Sequence, residues 1–161
     1  MPIARATLLL ATLTLTACAS APSARDDLRA DVGAVLDDFH AAAAEADADR
    51  YLAHFAADGV FFGTDPAERW TVRQFEPYVR DRFADGGWRY APRDRTVFVS
   101  DDGATAWFDE VLDGASGVTA RGTGVLVREG ERWKIAQYNF SVPFPNALWD
   151  TINAMIRAEG D

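Results

Sequence analysis

The fold is decided by residues 118–142, which read VTARGTGVLVREGERWKIAQYNFSV. Over 118–128 and again over 132–142 the pattern predicts a long strand, and Glu129-Gly130-Glu131 supplies a turn between them. Working outward, Asp101-Asp102-Gly103 is a strong hairpin signal between two further strands, predicted at 94–100 and 104–112. With a short strand at 88–91, this part of the chain predicts an antiparallel meander.

Upstream of the meander the apolar period changes to that of helices. Leu28, Val32, Val35, Leu36 and Phe39 recur at steps of three and four residues, which predicts a helix from Asp26 to about Ala46. The remaining elements are a short helix at 49–57, a strand at 60–62, a third helix that Thr71 caps, and a terminal helix at 147–158. Helices followed by a sheet give an α+β fold of one domain.

The N-terminus predicts export. Residues 6–17 form an apolar and threonine run, too short to span a bilayer but typical of a secretory signal. The run ends in Leu15-Thr16-Ala17-Cys18, which resembles a bacterial lipobox, so Cys18 is the predicted lipidation site and membrane anchor. An ordinary signal peptide cleaved near 19–21 is the alternative. We therefore divide the chain into a lipoprotein signal peptide (1–17), a tether (18–25) and a domain (26–161).

Composition excludes several functions. The formal net charge of −9 makes nucleic acid a poor partner, because phosphate binding needs a basic face. One cysteine and two histidines leave little for a metal centre, and no phosphate loop or nucleophilic triad is present, so we expect neither metal nor cofactor. The chain is 48% apolar and 12% aromatic, enough for a core and a pocket.

Three segments carry a resemblance to a known family: residues 61–70, 106–112 and 121–141. They resemble the SnoaL-like branch of the nuclear-transport-factor-2-like superfamily over about residues 27–146. The resemblance implies a cystatin-like cone, in which a curved antiparallel sheet wraps around three N-terminal helices and leaves a pocket at its wide end. The superfamily contains isomerases, dehydratases, hydrolases and cyclases as well as non-catalytic binding and assembly domains, so fold alone does not fix function.

Strand alternation gives a prediction for the pocket wall. If Gly130 and Glu131 form a two-residue turn, the concave face carries Trp107, Asp109, Gln137 and Asn139, and two facing glycines leave room for a ligand. The opposite face, with Phe108, Tyr138 and Phe140, would then form a homodimer surface. A shift of one residue would invert both faces and would give Glu110 the role assigned to Asp109.

The predicted catalytic residues are Asp109, Tyr51 and His54. A carboxylate among aromatic rings has its charged form disfavoured, which suits Asp109 to acid–base chemistry, whereas an ion pair with Arg121 is the structural alternative. Asn139 stands where similar families often have a histidine, and this lowers the expectation of catalysis. His54 and His40 are expected at the surface or rim, and Tyr51 in core packing unless it reaches the pocket mouth.

The predicted ligand contacts are Trp70, Trp88, Trp107, Gln137 and Asn139, while Asp65, Glu68 and Arg69 are expected to order the loop before Trp70. From these residues we expect an outer-membrane lipoprotein, facing the periplasm, that binds a small and largely apolar molecule as a homodimer. One alternative is a cofactor-independent lyase, isomerase or hydrolase, and another is a non-catalytic envelope assembly module.

Overall fold

The computed structural model describes residues 24–159, so the predicted signal peptide, Cys18 and most of the tether lie outside the described residues. The helices are α1 (Ala24–Ala44), α2 (Ala48–Ala53), α3 (Val72–Ala84) and α4 (Trp149–Glu159), with a 3-10 turn at Asn146–Leu148. The strands are β1 (Phe55–Phe62), β2 (Arg69–Thr71), β3 (Tyr90–Val99), β4 (Thr105–Gly114), β5 (Thr119–Glu129) and β6 (Arg132–Ser141).

The six strands form one curved, open sheet in the order β2-β1-β6-β5-β4-β3. The predicted meander from β3 to β6 is confirmed, and the α+β class with it. The sheet is mixed rather than wholly antiparallel, because β1 runs parallel to β6. The two strands predicted at 88–100 are a single strand, β3, whose pairing with β4 shifts between Arg93 and Thr96. Asp94 lies in this bulge with φ 51°.

The core lies between the helices and the concave face of the sheet. On α1, Val32, Leu36 and Phe39 are at most 2% exposed, and α3 contributes Phe75 and Val79, both fully buried. Burying a side chain of this kind stabilises a fold by roughly 1.5–3 kcal/mol. The helix α3 begins at a complete capping box, in which Thr71 and Gln74 bond reciprocally.

A bulge in β6 decides which side chains face the core. Leu126 pairs with Ile135, but the next residue, Val125, pairs with Gln137, so Ala136 is an extra residue in β6. Such a residue reverses the alternation of the strand beyond it. Consequently Tyr138 is 2% exposed and faces the core, whereas Gln137 faces outward.

The helix α4 stands apart from the core. No residue of α4 is buried, and Trp149, Met155 and Ile156 are 59–67% exposed. Within residues 24–159, no helix is both long and apolar enough to cross a membrane.

Candidate functional site

A cavity of about 210 Å³ opens between α1, α3 and the concave face of the sheet. Most of its wall is aromatic: Phe39, Tyr51, Phe61, Trp70, Phe75, Tyr78, Trp88, Tyr90, Tyr138 and Phe140. Polar groups reach it from His40, Thr64, Glu68 and Arg82. An apolar cavity of about 150 Å³ holds one benzene ring, so this one holds one ring with a substituent, or two small fused rings.

Three of the residues predicted from sequence lie in the cavity wall, namely Tyr51, Trp70 and Trp88. Tyr51 is 1% exposed and its ring stacks on Phe39 with centroids 4.4 Å apart. Burial, together with the nearby Tyr78, raises the pKa of Tyr51 well above its ordinary value, so its hydroxyl stays protonated. Ligand contact by these three residues stays a prediction.

The predicted concave positions of Trp107, Asp109, Gln137 and Asn139 are wrong. All four lie on the outer face of the sheet, outside the cavity wall. Trp107 is 45% exposed and stacks on Phe98, which is 41% exposed. The error has two sources: the bulge at Ala136 in β6, and the choice of the wrong face of β4, whose inward residues are Ala106, Phe108, Glu110 and Leu112. The Asp109 side chain is therefore outside the cavity.

The predicted dimer surface is wrong for the same reason. Phe108 and Tyr138 are 3% and 2% exposed in the core, and Phe140 lines the cavity. The two glycines opposite them, Gly122 and Gly124, do not leave room for a ligand either. A Cβ on Gly122 would lie 2.5 Å from the Tyr138 hydroxyl oxygen, and one on Gly124 would lie 2.8 Å from the Phe108 ring.

Glu110 takes the inward position on β4 and is 1% exposed. Its Oε1 lies 2.7 Å from Nε2 of His40 and 3.2 Å from the hydroxyl oxygen of Tyr138, while its Oε2 lies 2.7 Å from Nε of Arg95. Arg95 also donates to the carbonyl of Gly33, at 3.0 Å. Three donors thus converge on one buried carboxylate, which is how a protein keeps such a charge in its core.

The charges in this cluster favour ionised Glu110. Burial by itself would raise the pKa of Glu110, but the His40 hydrogen bond and the Arg95 charge outweigh it and hold that pKa below its ordinary value. Burial raises the pKa of Tyr138 well above its usual range, and the negative charge of Glu110 adds to this effect, so the phenol remains a donor. Because a carboxylate only accepts hydrogen bonds, His40 donates through Nε2, and in the neutral form of the ring the lone pair is on Nδ1.

His40 was expected at the surface or rim, but only 7% of the residue is exposed and it lines the cavity. Among residues 24–159, the side-chain nitrogens and oxygens that are fully buried without a hydrogen-bond partner are Nδ1 of His54 and one nitrogen of Arg95. Nδ1 of His40 and the Tyr51 hydroxyl also make no hydrogen bond in that range. Both residues line the cavity, so we place these two atoms at its surface.

His54 lies away from the cavity, in a separate groove between α1, α2 and β6. Its Nε2 is 2.9 Å from Oδ2 of Asp38, which also pairs with Arg50. The ring is still close to the core, with its centroid 5.9 Å from that of Phe39. Of the residues predicted to be catalytic, His54 therefore lies outside the cavity that Tyr51 lines.

The loop before Trp70 is ordered by its own side chains. Oδ1 of Asp65 accepts from the amide of Ala67 at 2.7 Å, and Oε2 of Glu68 accepts from the amide of Asp65 at 3.2 Å. Arg69 lies over the ring of Phe62, 5.7 Å from its centroid. Glu68 also faces the cavity, so it combines the predicted structural role with a place at the site.

No group of three or more histidine, cysteine, aspartate or glutamate side chains within residues 24–159 is arranged to hold a metal ion. The site of this fold is an aromatic cavity in whose wall His40 and Tyr138 contact the buried Glu110.

Comparisons with known proteins agree with this geometry. The sequence model of the SnoaL-like domain matches residues 32–145, and the chain belongs to that family. A search among curated proteins finds no significant match.

Solved structures show the same fold at low sequence identity. An NTF2-like protein of unknown function from Pseudomonas putida is 17% identical, with TM-score 0.64, covering 74% of this chain and 89% of that one. A protein from Streptomyces avermitilis, provisionally named a dehydratase of the NTF2-like family, is 17% identical, with TM-score 0.62 and coverages of 75% and 99%. A Nostoc punctiforme protein with a cystatin-like fold is 15% identical, with TM-score 0.59 and coverages of 75% and 93%.

Proposed function

We propose that this SnoaL-like domain binds a small, flat and largely apolar molecule in the aromatic cavity. The observation that carries the proposal is the cavity itself: about 210 Å³ of space whose wall is mostly aromatic and contains a few polar groups. Ligand sites of proteins combine apolar walls with a few polar groups in this way. The volume lies below the range of about 300–1,000 Å³ that is usual for drug-sized ligands, so the ligand is one or two rings in size.

Calorimetric titration with indole tests this proposal, with Trp70→Ala and Trp107→Ala as a matched pair. Trp70 lines the cavity, whereas Trp107 is exposed on the outer face. An aromatic contact contributes about 0.5–1.5 kcal/mol beyond its buried area, so Trp70→Ala should weaken indole binding by about tenfold. Trp107→Ala should leave it unchanged. Absence of indole binding to the unmodified protein, or equal losses in both variants, would contradict the proposal.

We also propose that the domain is held at the outer membrane by a lipid on Cys18. Two acyl chains give stable attachment, whereas one chain gives only marginal binding. Labelling of the full chain with a radioactive fatty acid in a diderm bacterium should mark the unmodified protein and leave Cys18→Ser unlabelled. Secretion of an unlabelled, shortened protein would instead support an ordinary signal peptide.

A homodimer remains part of the proposal, but through a different surface. The stacked pair Phe98 and Trp107 forms an exposed apolar patch on the outer face of the sheet. Light scattering on the purified protein should give twice the monomer mass, and on Trp107→Arg it should give the mass of one monomer. A monomeric unmodified protein would exclude this arrangement.

An assembly module without a ligand is less well supported, because the cavity is open rather than filled.

A further inference from the structure

The cavity wall contains a base with a fixed orientation. His40 lies on α1 and Glu110 on β4, and their side chains meet at 2.7 Å in a region where both are at most 7% exposed. The carboxylate accepts a hydrogen bond from Nε2–H, so in the neutral imidazole the lone pair is on Nδ1, the nitrogen at the cavity surface. Imidazole is the side chain that exchanges protons most readily near neutral pH.

The surroundings of the pair favour one role for each member. Glu110 keeps its negative charge with three donors around it, and it is not among the residues that line the cavity, so it is not placed to contact a ligand. It can instead fix the ring of His40 and stabilise the imidazolium that forms when Nδ1 takes up a proton. Arg95 neutralises the carboxylate from the side of α1, where it also bonds Gly33.

A hydrogen-bond donor is available in the same cavity. The hydroxyl of Tyr51 has no partner among residues 24–159 and lies in the cavity wall with His40. It is neutral, and in a cavity of low polarity a neutral donor stabilises negative charge more strongly than it does in water. The base and the donor are therefore both present around a space that fits a small aromatic molecule.

We propose that His40 is a general base that removes an acidic C–H or O–H proton from a small aromatic molecule in this cavity, with Glu110 as its positioning residue. The inference rests on the proposed binding function. It differs from the acid–base role predicted for Asp109, which lies on the opposite face of the sheet. The substrate class is a one-ring or two-ring molecule with a single acidic proton.

A nitrobenzisoxazole is a suitable probe, because its ring opening needs a base and no co-reactant. The proton on carbon passes to Nδ1, the C–H electron pair completes the nitrile, and the N–O bond breaks with its electrons on the phenolate oxygen. The imidazolium then returns its proton to water. The coloured phenolate reports the rate directly.

The experiment compares the unmodified protein with His40→Gln, and with His54→Gln as the matched control in the other groove. General base catalysis contributes about 10²–10⁴-fold, so His40→Gln should lose at least about 100-fold in kcat/KM. His54→Gln should keep the rate. Glu110→Asp and Glu110→Gln should lower kcat while KM and indole affinity stay the same, and should shift the pH–rate profile.

A measurement on the unmodified protein covers the case in which a variant does not fold. Diethyl pyrocarbonate should acylate His40 and abolish turnover. When indole occupies the cavity, His40 should be protected from acylation and the protein should keep its activity. Indole binding without turnover above that of free imidazole would overturn the inference and leave the binding function standing. Full activity of His40→Gln, or of the protein acylated at His40, would overturn it as well. Absence of indole binding would instead refute the binding function itself.

Discussion

Glu110→Gln and Asp109→Asn are neighbouring substitutions that remove the same charge from opposite faces of one strand. Glu110 is 1% exposed and Asp109 is exposed on the outer face. A glutamine amide has one oxygen and an NH₂ group, so it cannot accept from all three donors that now reach the carboxylate. Arg95, whose side chain is 13% exposed, would also lose its buried counter-charge.

Removing one partner of a buried ion pair costs about 3–5 kcal/mol, because the other charge is left uncompensated. Arg95 keeps its contact with Asp37 at 2.7 Å, so we expect Glu110→Gln to fall at the lower end of that range. An exposed substitution changes stability by no more than about 0.5 kcal/mol, which is our expectation for Asp109→Asn.

Urea unfolding followed by tryptophan fluorescence and by circular dichroism measures both free energies. At about 2–4 °C per kcal/mol for a domain of this size, Glu110→Gln should also lower the melting temperature by roughly 10 °C. Equal losses in the two variants would refute the assignment of Glu110 to the core face. A larger loss in Asp109→Asn would restore the face predicted from sequence.

The remaining predictions concern pH, packing and capping. The pKa of Glu110 is lower in the folded protein than its ordinary value of 4.5, so the ionised carboxylate stabilises the fold above pH 4.5. This stability is lost as the pH falls through the pKa of the folded state. Below about pH 4.5, the free energy of unfolding should therefore fall more steeply with acid in the unmodified protein than in Glu110→Gln. Gly122→Ala places a Cβ 2.8 Å from Oε1 of Glu110 and should cost about 1–3 kcal/mol in urea unfolding. A Cβ on Gly33, in α1, would have no other atom within 4 Å, so Gly33→Ala should raise the free energy of unfolding by about 0.4–1 kcal/mol. A lower free energy of unfolding would contradict the open space at this position. Thr71→Ala removes the α3 cap and should lower the melting temperature through a loss of about 1 kcal/mol, whereas no change would show that the cap is dispensable.

Apart from β2 and the division of β3 into two strands, the order of helices and strands could be predicted from the sequence, because periodicity and turn residues are local signals. The β5–β6 turn at Gly130 and the hairpin at Asp101-Asp102-Gly103 were both correct. The parallel contact of β1 with β6 has no local signal, since it joins strands that are far apart in the chain. The bulge at Ala136 has none either, because alanine fits equally well in a regular strand.

The face of β4 could have been found from its charges. The odd positions include Asp109 and Asp113, whereas Glu110 is the only charged residue among the even positions 106–112, so burying the even face costs fewer desolvated charges. His40 also had a signal, because it follows Val32 and Leu36 at steps of four on the buried stripe of α1. What the sequence could not show is that the side chains of His40 and Glu110, which are 70 residues apart in the chain, meet beside the cavity.

The bulge and the buried cluster are physically connected. Without the extra residue at Ala136, the side chain of Tyr138 would face outward and its hydroxyl could not reach Glu110. Gly122 is required in turn, because any side chain there would occupy the place of that hydroxyl. An irregular strand and a glycine thus admit a buried carboxylate that an unbroken apolar core would exclude. Since replacing buried ion pairs by apolar residues is often stabilising, stability alone does not explain the cluster, and proton transfer through His40 gives it a function.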